Sequence, residues 1–213
     1  MCIRDRYYPF EDFHINKFNV HTDKRAISKN DVLKIISADL TGKSEYVKFS
    51  RDIFVFSYLC GGINFCDVAS LTKENMLNGR LFYVRQKTGK QINLCLTKNA
   101  SAIIDKYYKG GKGFLFPILD VTRHITATQR ENRLHKVLGQ VDKSLKIVAQ
   151  IAKVDVNLTT YVARHSYATV LKRSGVPTSI ICESLGHSSE RVTQIYLDSF
   201  ENEQIDEAMK NLL

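Results

Sequence analysis

No stretch of this chain approaches the run of about 20 apolar residues needed to cross a bilayer, and no secretory leader is expected. Cysteine is sparse: Cys2, Cys60, Cys66, Cys95 and Cys182 include no C-x-x-C spacing. An odd count without a paired framework excludes a disulfide-stapled scaffold and fits a reducing cytoplasm, the expected location. Cys60 and Cys182 are expected in the core, and no metal site is implied. No glycine-rich nucleotide loop occurs, so ATP is not implied, and no cofactor is expected. Internal repeats and low-complexity stretches are also absent. Acidic residues are in deficit, with 22 Asp+Glu against 31 Lys+Arg and a formal charge of +9. That balance attracts polyanions over long range, through contacts that salt weakens. Basic residues recur in Lys17–Lys34, Arg80–Lys90, Lys98–Lys112 and Arg123–Lys146, whereas Asp198–Glu207 is acidic.

What is present concentrates in the last third. Arg164 and His165 stand in T-Y-V-A-R-H-S-Y-A-T, His187 in L-G-H-S-S, and Tyr196 in T-Q-I-Y, nine positions after His187. A guanidinium is a rigid, permanently charged fork that matches two phosphate oxygens, so Arg164 suits clamping a phosphodiester. A tyrosine phenol, with an ordinary pKa of about 10, attacks only where nearby cations favour the phenolate. His187 can donate a hydrogen bond to a non-bridging oxygen. Singly, a helix arginine is a solvated surface residue and a lone tyrosine is core or rim. The joint pattern carries the chemistry.

Local signals place these residues on successive helices. Val162–Ser174 reads as a helix with Gly175 as its C-terminal cap and Pro177 beyond. Thr178 is expected to cap a short helix ending near Leu185 and Gly186, and Ser189 another that carries Tyr196.

In order and spacing, Leu158–Asp198 resembles the catalytic box of the tyrosine recombinase (phage integrase) family. The wording resembles, more loosely, integrases of mobile elements from Bacteroides-type bacteria. The resemblance implies a DNA recombinase that cleaves and rejoins strands through a 3′-phosphotyrosyl link, with Tyr196 as nucleophile and Arg164 and His187 on the scissile phosphate. It implies double-stranded DNA as partner, a homo-tetramer on DNA, and no membrane. His165 is expected to brace its helix.

Upstream, Arg80–Gln86 and Gln91–Thr97 read as strands joined by a turn at Lys87–Lys90. The family has such a hairpin, with a lysine that protonates the leaving 5′ oxygen, and Lys87 matches it. Lys90 and Arg80 are candidate DNA contacts. Phe54–Met76 resembles the region of the family's first catalytic arginine, in G-x-R-x-x-E. Aligning Asp67 with that glutamate puts Asn64 at the arginine position, where it can donate hydrogen bonds but carries no charge. Arg85 is the candidate replacement, since residues two apart on a strand share a face and Lys87 lies two positions on. Arg51 and Arg80 are weaker candidates. Tyr161 stands where the family has a histidine three residues before the second arginine. It can donate to phosphate but is no neutral-pH base.

The expected fold is α+β and mainly helical, a tyrosine recombinase catalytic domain with a small antiparallel sheet. Asp23–Ala38 opens it, with Ser28 as N-cap and Val32, Leu33 and Ile36 on one side. Ile53–Leu59 is expected in a buried helix, Gly113–Leu119 as an extended piece, and Asn132–Ala152 as a helix. Residues 23–213 form the expected catalytic domain. Residues 1–22 are expected to be an interdomain connector or non-native start, with the upstream DNA-clamping domain missing. Asn202–Leu213 reads as an amphipathic helix, and the resemblance implies that it exchanges between protomers. Two other classes fit the residues: a catalytically impaired DNA-binding relic, and a helical transcription regulator with accidental spacing.

Overall fold

The computed structural model describes residues 26–111 and 113–197. The expected connector at 1–22 and the expected helix over Asn202–Leu213 lie outside the described residues. The order is α1 (Lys29–Ser37), α2 (Glu45–Leu59), α3 (Phe65–Ser70), a 3-10 turn, β1 (Met76–Leu77), β2 (Arg80–Val84), β3 (Gln91–Cys95), α4 (Lys98–Tyr107), α5 (Ala127–Ala152), α6 (Thr160–Arg173), α7 (Thr178–Leu185) and α8 (Glu190–Tyr196). The α+β, mainly helical class is the one expected.

Helix α2 is the axis of the core. The second half of its sequence E-Y-V-K-F-S-R-D-I-F-V-F-S-Y-L, from Ile53 on, is apolar nearly all round, the pattern of a helix enclosed by others. It packs against α1, α4, α5 and α6. Phe54 and Phe56 are fully buried, and the Phe56 ring meets Phe116 edge-on at 4.9 Å. The two α2 serines whose hydroxyls lie within the core donate to carbonyls, Ser50 to Tyr46 and Ser57 to Ile63. A second, smaller cluster of Ala168, Ile181, Leu185 and Leu197 joins α6, α7 and α8.

The antiparallel sheet has the order β1-β2-β3, with Arg80 opposite Cys95 and Val84 opposite Gln91. Alternation buries Leu81 and Tyr83 and exposes Val84. β2 stops at Val84 and β3, which begins at Gln91 as expected, stops at Cys95, each two residues short of the expected ends at Gln86 and Thr97. Arg85 and Lys90 close the connection, Arg85 N donating to Lys90 O at 2.9 Å and Gly89 N to Arg85 O at 2.8 Å.

Several boundaries differ from expectation for local reasons. α5 begins five residues before Asn132, because Thr126 and Gln129 form a capping box. α6 begins at Thr160, whose N–H donates to Asp142 Oδ1 at 2.9 Å. Pro177, not Thr178, is the N-cap of α7; proline lacks an N–H and suits an end where donors are unpaired anyway. Ser28 caps α1 as expected, but Val32 and Ile35 are buried while Leu33 is 51% exposed. Of Gly113–Leu119 only Phe114 pairs, bridging to Thr72. After Ser174, Gly175 N donates to Lys172 O and Val176 N to Leu171 O, the two bonds of a Schellman end.

Candidate active site

Two glycine corners build the site. Gly62 follows α2 with φ +64°, a conformation that favours glycine. Its carbonyl accepts from Arg164 Nη1 at 2.8 Å. A Cβ there would lie 2.9 Å from Arg164 Cα, so the helix carrying Arg164 approaches as closely as it does only because Gly62 has none. Gly186 ends α7 with φ +62°. Its carbonyl accepts from Arg85 Nη1 at 2.7 Å and from Thr88 Oγ1 at 3.0 Å.

The end of α7 gathers three cations. Leu185 O accepts from Arg164 Nη2, Gly186 O from Arg85 Nη1, and His187 O from Lys90 Nζ. Carbonyls at a helix C-terminus lack intrahelical donors and carry partial negative charge, so cations complete them. Arg164 and Arg85 are 2% and 3% exposed, so both guanidinium groups are held out of water. Arg85 Nε is buried and has no hydrogen-bond partner among the described residues.

His187 sits at the centre, 2% exposed, with Nδ1 2.8 Å from Thr193 Oγ1. Burial, reinforced by the charges of Arg164, Arg85, Lys87 and Lys90, pushes its pKa down to about 3. The imidazole is therefore neutral at working pH. Asp67 is 3% exposed and accepts from Gln86 N at 3.0 Å, tying α3 to the hairpin turn. Burial raises its pKa, while the Gln86 N–H and the charges of Arg85 and Arg164 oppose the rise.

The expected site residues divide. Arg164, Arg85, His187 and Lys90 come together at the end of α7, and Lys87 is exposed on the hairpin turn within electrostatic reach of His187. Arg85 and Lys87 do not share a face: the strand ends at Val84, and Arg85 instead continues the buried side of Leu81 and Tyr83. Tyr196 is the last residue of α8, one turn beyond Thr193, and the expectation for its phenol lies outside the described side chains. Asn64 and Tyr161 line a groove of about 440 Å³ with Phe65, Cys66, Leu134 and Leu138. Tyr161 is 44% exposed and meets His165 edge-on at 4.7 Å. Asn64 is the N-cap residue of α3 but makes no side-chain cap bond. Arg80 is not brought to the cluster: it is exposed at the far end of β2, bonded to Asn93 Oδ1 at 2.6 Å. Arg51 pairs with Asp52. Sequence reasoning overlooked Gly62 and Thr193, and read Gly186 only as a helix end. The glycines beside Gly61 and in L-G-H, and a hydroxyl one turn before Tyr196, were the available signals. Among the described residues no helix is long and apolar enough to cross a membrane, and no group of three His, Cys, Asp or Glu is placed to hold a metal.

Comparison with known proteins agrees with this fold. Tyrosine recombinase XerA of Pyrococcus horikoshii is 27% identical over 175 residues, 81% of this chain and 56% of that protein. The chain spans about half the length of the curated relatives it matches. The crystal structure of XerA recombinase superposes with a TM-score of 0.63 at 17% identity, over 92% of this chain and 65% of that one. The Tn1549 transposon integrase in complex with transposon right-end DNA gives 0.60 at 16% identity, over 99% and 74%. The model of the phage integrase family matches residues 25–203, and the chain belongs to that family.

Proposed function

We propose that this chain is the catalytic domain of a site-specific DNA recombinase that cuts and rejoins strands through a 3′-phosphotyrosyl intermediate. The observation that carries the reading is the burial of two guanidinium groups, Arg164 and Arg85, beside a neutral His187 at one helix end. Two buried cations so close together, beside the buried carboxylate of Asp67, suit a dianionic transition state. Arg164 and Arg85 hold the non-bridging oxygens, Arg85 in place of the charge that Asn64 lacks. Its Nε is a buried donor awaiting an acceptor. His187 donates to the same phosphate.

Tyr196 loses its phenol proton to water as the cations favour the phenolate. The phenolate oxygen attacks phosphorus, the bond from phosphorus to the 5′ oxygen breaks, and Lys87 gives that oxygen a proton. A 5′ hydroxyl reverses the steps and reseals the strand, so the phosphodiester energy is conserved without ATP. Tyr161 and Asn64 flank the phosphate from the groove, and Lys90 and Arg80 contact the DNA backbone. Double-stranded DNA is the substrate, and pairs of sites are exchanged within a homo-tetramer.

The test is covalent capture. The chain is incubated with a pool of nicked suicide duplexes randomised around the nick. A denaturant-resistant adduct with phosphotyrosine at Tyr196 is expected, and Tyr196→Phe should abolish it while binding persists. An adduct of equal strength in Tyr196→Phe rejects the assignment.

A further inference from the structure

Helix hydroxyls in this protein share a habit. Ser50, Ser70, Ser166 and Ser174 each donate to the carbonyl four residues back. Thr193 breaks it. The residue is wholly buried, and among the described residues its Oγ1 has one hydrogen-bond partner, His187 Nδ1 at 2.8 Å.

A hydroxyl has one proton and two lone pairs. A buried hydroxyl proton without an acceptor is costly, whereas an unused lone pair costs less. If His187 Nδ1 carried the imidazole proton, it would donate to Oγ1, and the Thr193 proton would have nowhere to go. If Thr193 donates to Nδ1, the hydroxyl proton and Nδ1 are both satisfied, and the ring's own proton sits on the buried Nε2 as a donor for the phosphate.

We infer that Thr193 is a positioning residue that donates to His187 Nδ1 and so places the imidazole proton on Nε2. The nitrogen that keeps its proton is set by the bond the other nitrogen makes. His187 is then a hydrogen-bond donor, not a base, consistent with the neutral ring that its burial and cationic neighbours enforce. Thr193 also lies three residues before Tyr196 on α8, the same side of that helix. One hydroxyl thus links the donor state of the histidine to the docking of the helix that carries the nucleophile. The inference deepens the recombinase reading and rests on it for its catalytic consequence only.

Two measurements separate the layers. Long-range proton–nitrogen NMR on the free 213-residue chain reports the tautomer directly. Wild type and Thr193→Ser should show a pyridine-type Nδ1 and a protonated Nε2 at His187. Thr193→Val, which keeps the shape and removes the hydroxyl, should lose that preference. In the suicide-duplex assay, on a sequence recovered from the pool, Thr193→Val should slow adduct formation about 10²-fold, the usual cost of losing an oriented donor. Thr193→Ser should restore most of it, and DNA binding should stay within about twofold. A wild-type spectrum with the proton on Nδ1 overturns the inference, as does a Thr193→Val variant with an unchanged tautomer. Failure of wild type to form any adduct overturns the recombinase reading, while the spectra still decide the role of Thr193.

Discussion

Arg164 and Arg85 donate to neighbouring carbonyls of a single helix end, Arg164 to Leu185 and Arg85 to Gly186. One arginine comes from α6 and the other from the hairpin, so the bonds lock two distant parts of the chain onto α7. Charge-assisted bonds of this kind contribute about 1.5–3 kcal/mol each where they are protected from water. The same arrangement spends only part of the Arg85 guanidinium. Arg85 Nε stays buried without an acceptor among the described residues. The scaffold therefore fixes the two groups rigidly and leaves donor capacity for a phosphate, the preorganisation that electrostatic catalysis needs.

Arg85→Ala should lower adduct formation about 10²-fold or more, in the range for removing an electrostatic donor. Asn64→Ala should cost much less, because Asn64 lines the groove and carries no charge. Arg85→Lys keeps the charge but not the fork, and should recover only a fraction of the rate. Single-turnover cleavage on one duplex measures all three. Equal rates for Arg85→Ala and wild type would show that Arg85 does not stand in for the arginine that Asn64 replaces.

Gly62→Ala should destabilise the fold more than Gly42→Ala. Both positions have positive φ, +64° and +75°, so both variants carry the backbone strain of about 1 kcal/mol or more. Only at Gly62 does the new Cβ meet backbone, 2.9 Å from Arg164 Cα, while Gly42 opens on empty space. Urea unfolding of the two variants isolates the cost of the collision. Identical midpoints would mean that α6 can retreat freely, and the tight seat of Arg164 would be lost as an explanation.

These contacts mark the boundary of what the sequence disclosed. Elements with local causes were legible: the Ser28 cap, the Gly186 end of α7, the hairpin around Gly89, and the Arg164–His187–Tyr196 order. The α5 start was missed because the Thr126–Gln129 box depends on a side chain reaching back, and Leu33 was misplaced by reading a face one position off. The bond of Gly62 to Arg164 spans 102 residues, and no local pattern encodes it. The expectation for Arg85 rests on a strand face shared with Lys87, which the structure does not show. Arg85 lies inward, behind Leu81 and Tyr83, where an arginine is uncommon without a partner or ligand.

Lys87 should act through the leaving group. It is exposed on the hairpin turn. Lys87→Ala should slow cleavage of an ordinary phosphodiester by about 10²-fold or more, the share typical of general acid catalysis. A substrate with sulfur at the bridging 5′ position leaves as a thiolate, whose conjugate acid has a pKa of about 8.5, and needs no proton. The variant should therefore cleave that substrate at nearly the wild-type rate. A variant equally slow on both substrates would mean that Lys87 binds DNA but does not protonate.

The buried imidazole makes a pH prediction with a definite sign. His187 has a pKa of about 3 in the folded protein against an ordinary value near 6.5. Between those values the unfolded chain binds a proton at this residue and the folded chain does not. Stability contributed here is intact above about pH 6.5 and falls as the solution is acidified, by at most about 1.4 kcal/mol per pH unit. His187→Gln cannot titrate and lacks this slope. The stability difference between wild type and His187→Gln should therefore shrink, and can reverse, as the pH drops from 7 to about 4.5. Denaturant unfolding at several pH values, with both proteins at one ionic strength, measures that difference. A difference that stays constant across the range would mean that the folded imidazole protonates freely, and that the cations around it do not act on it as their positions imply.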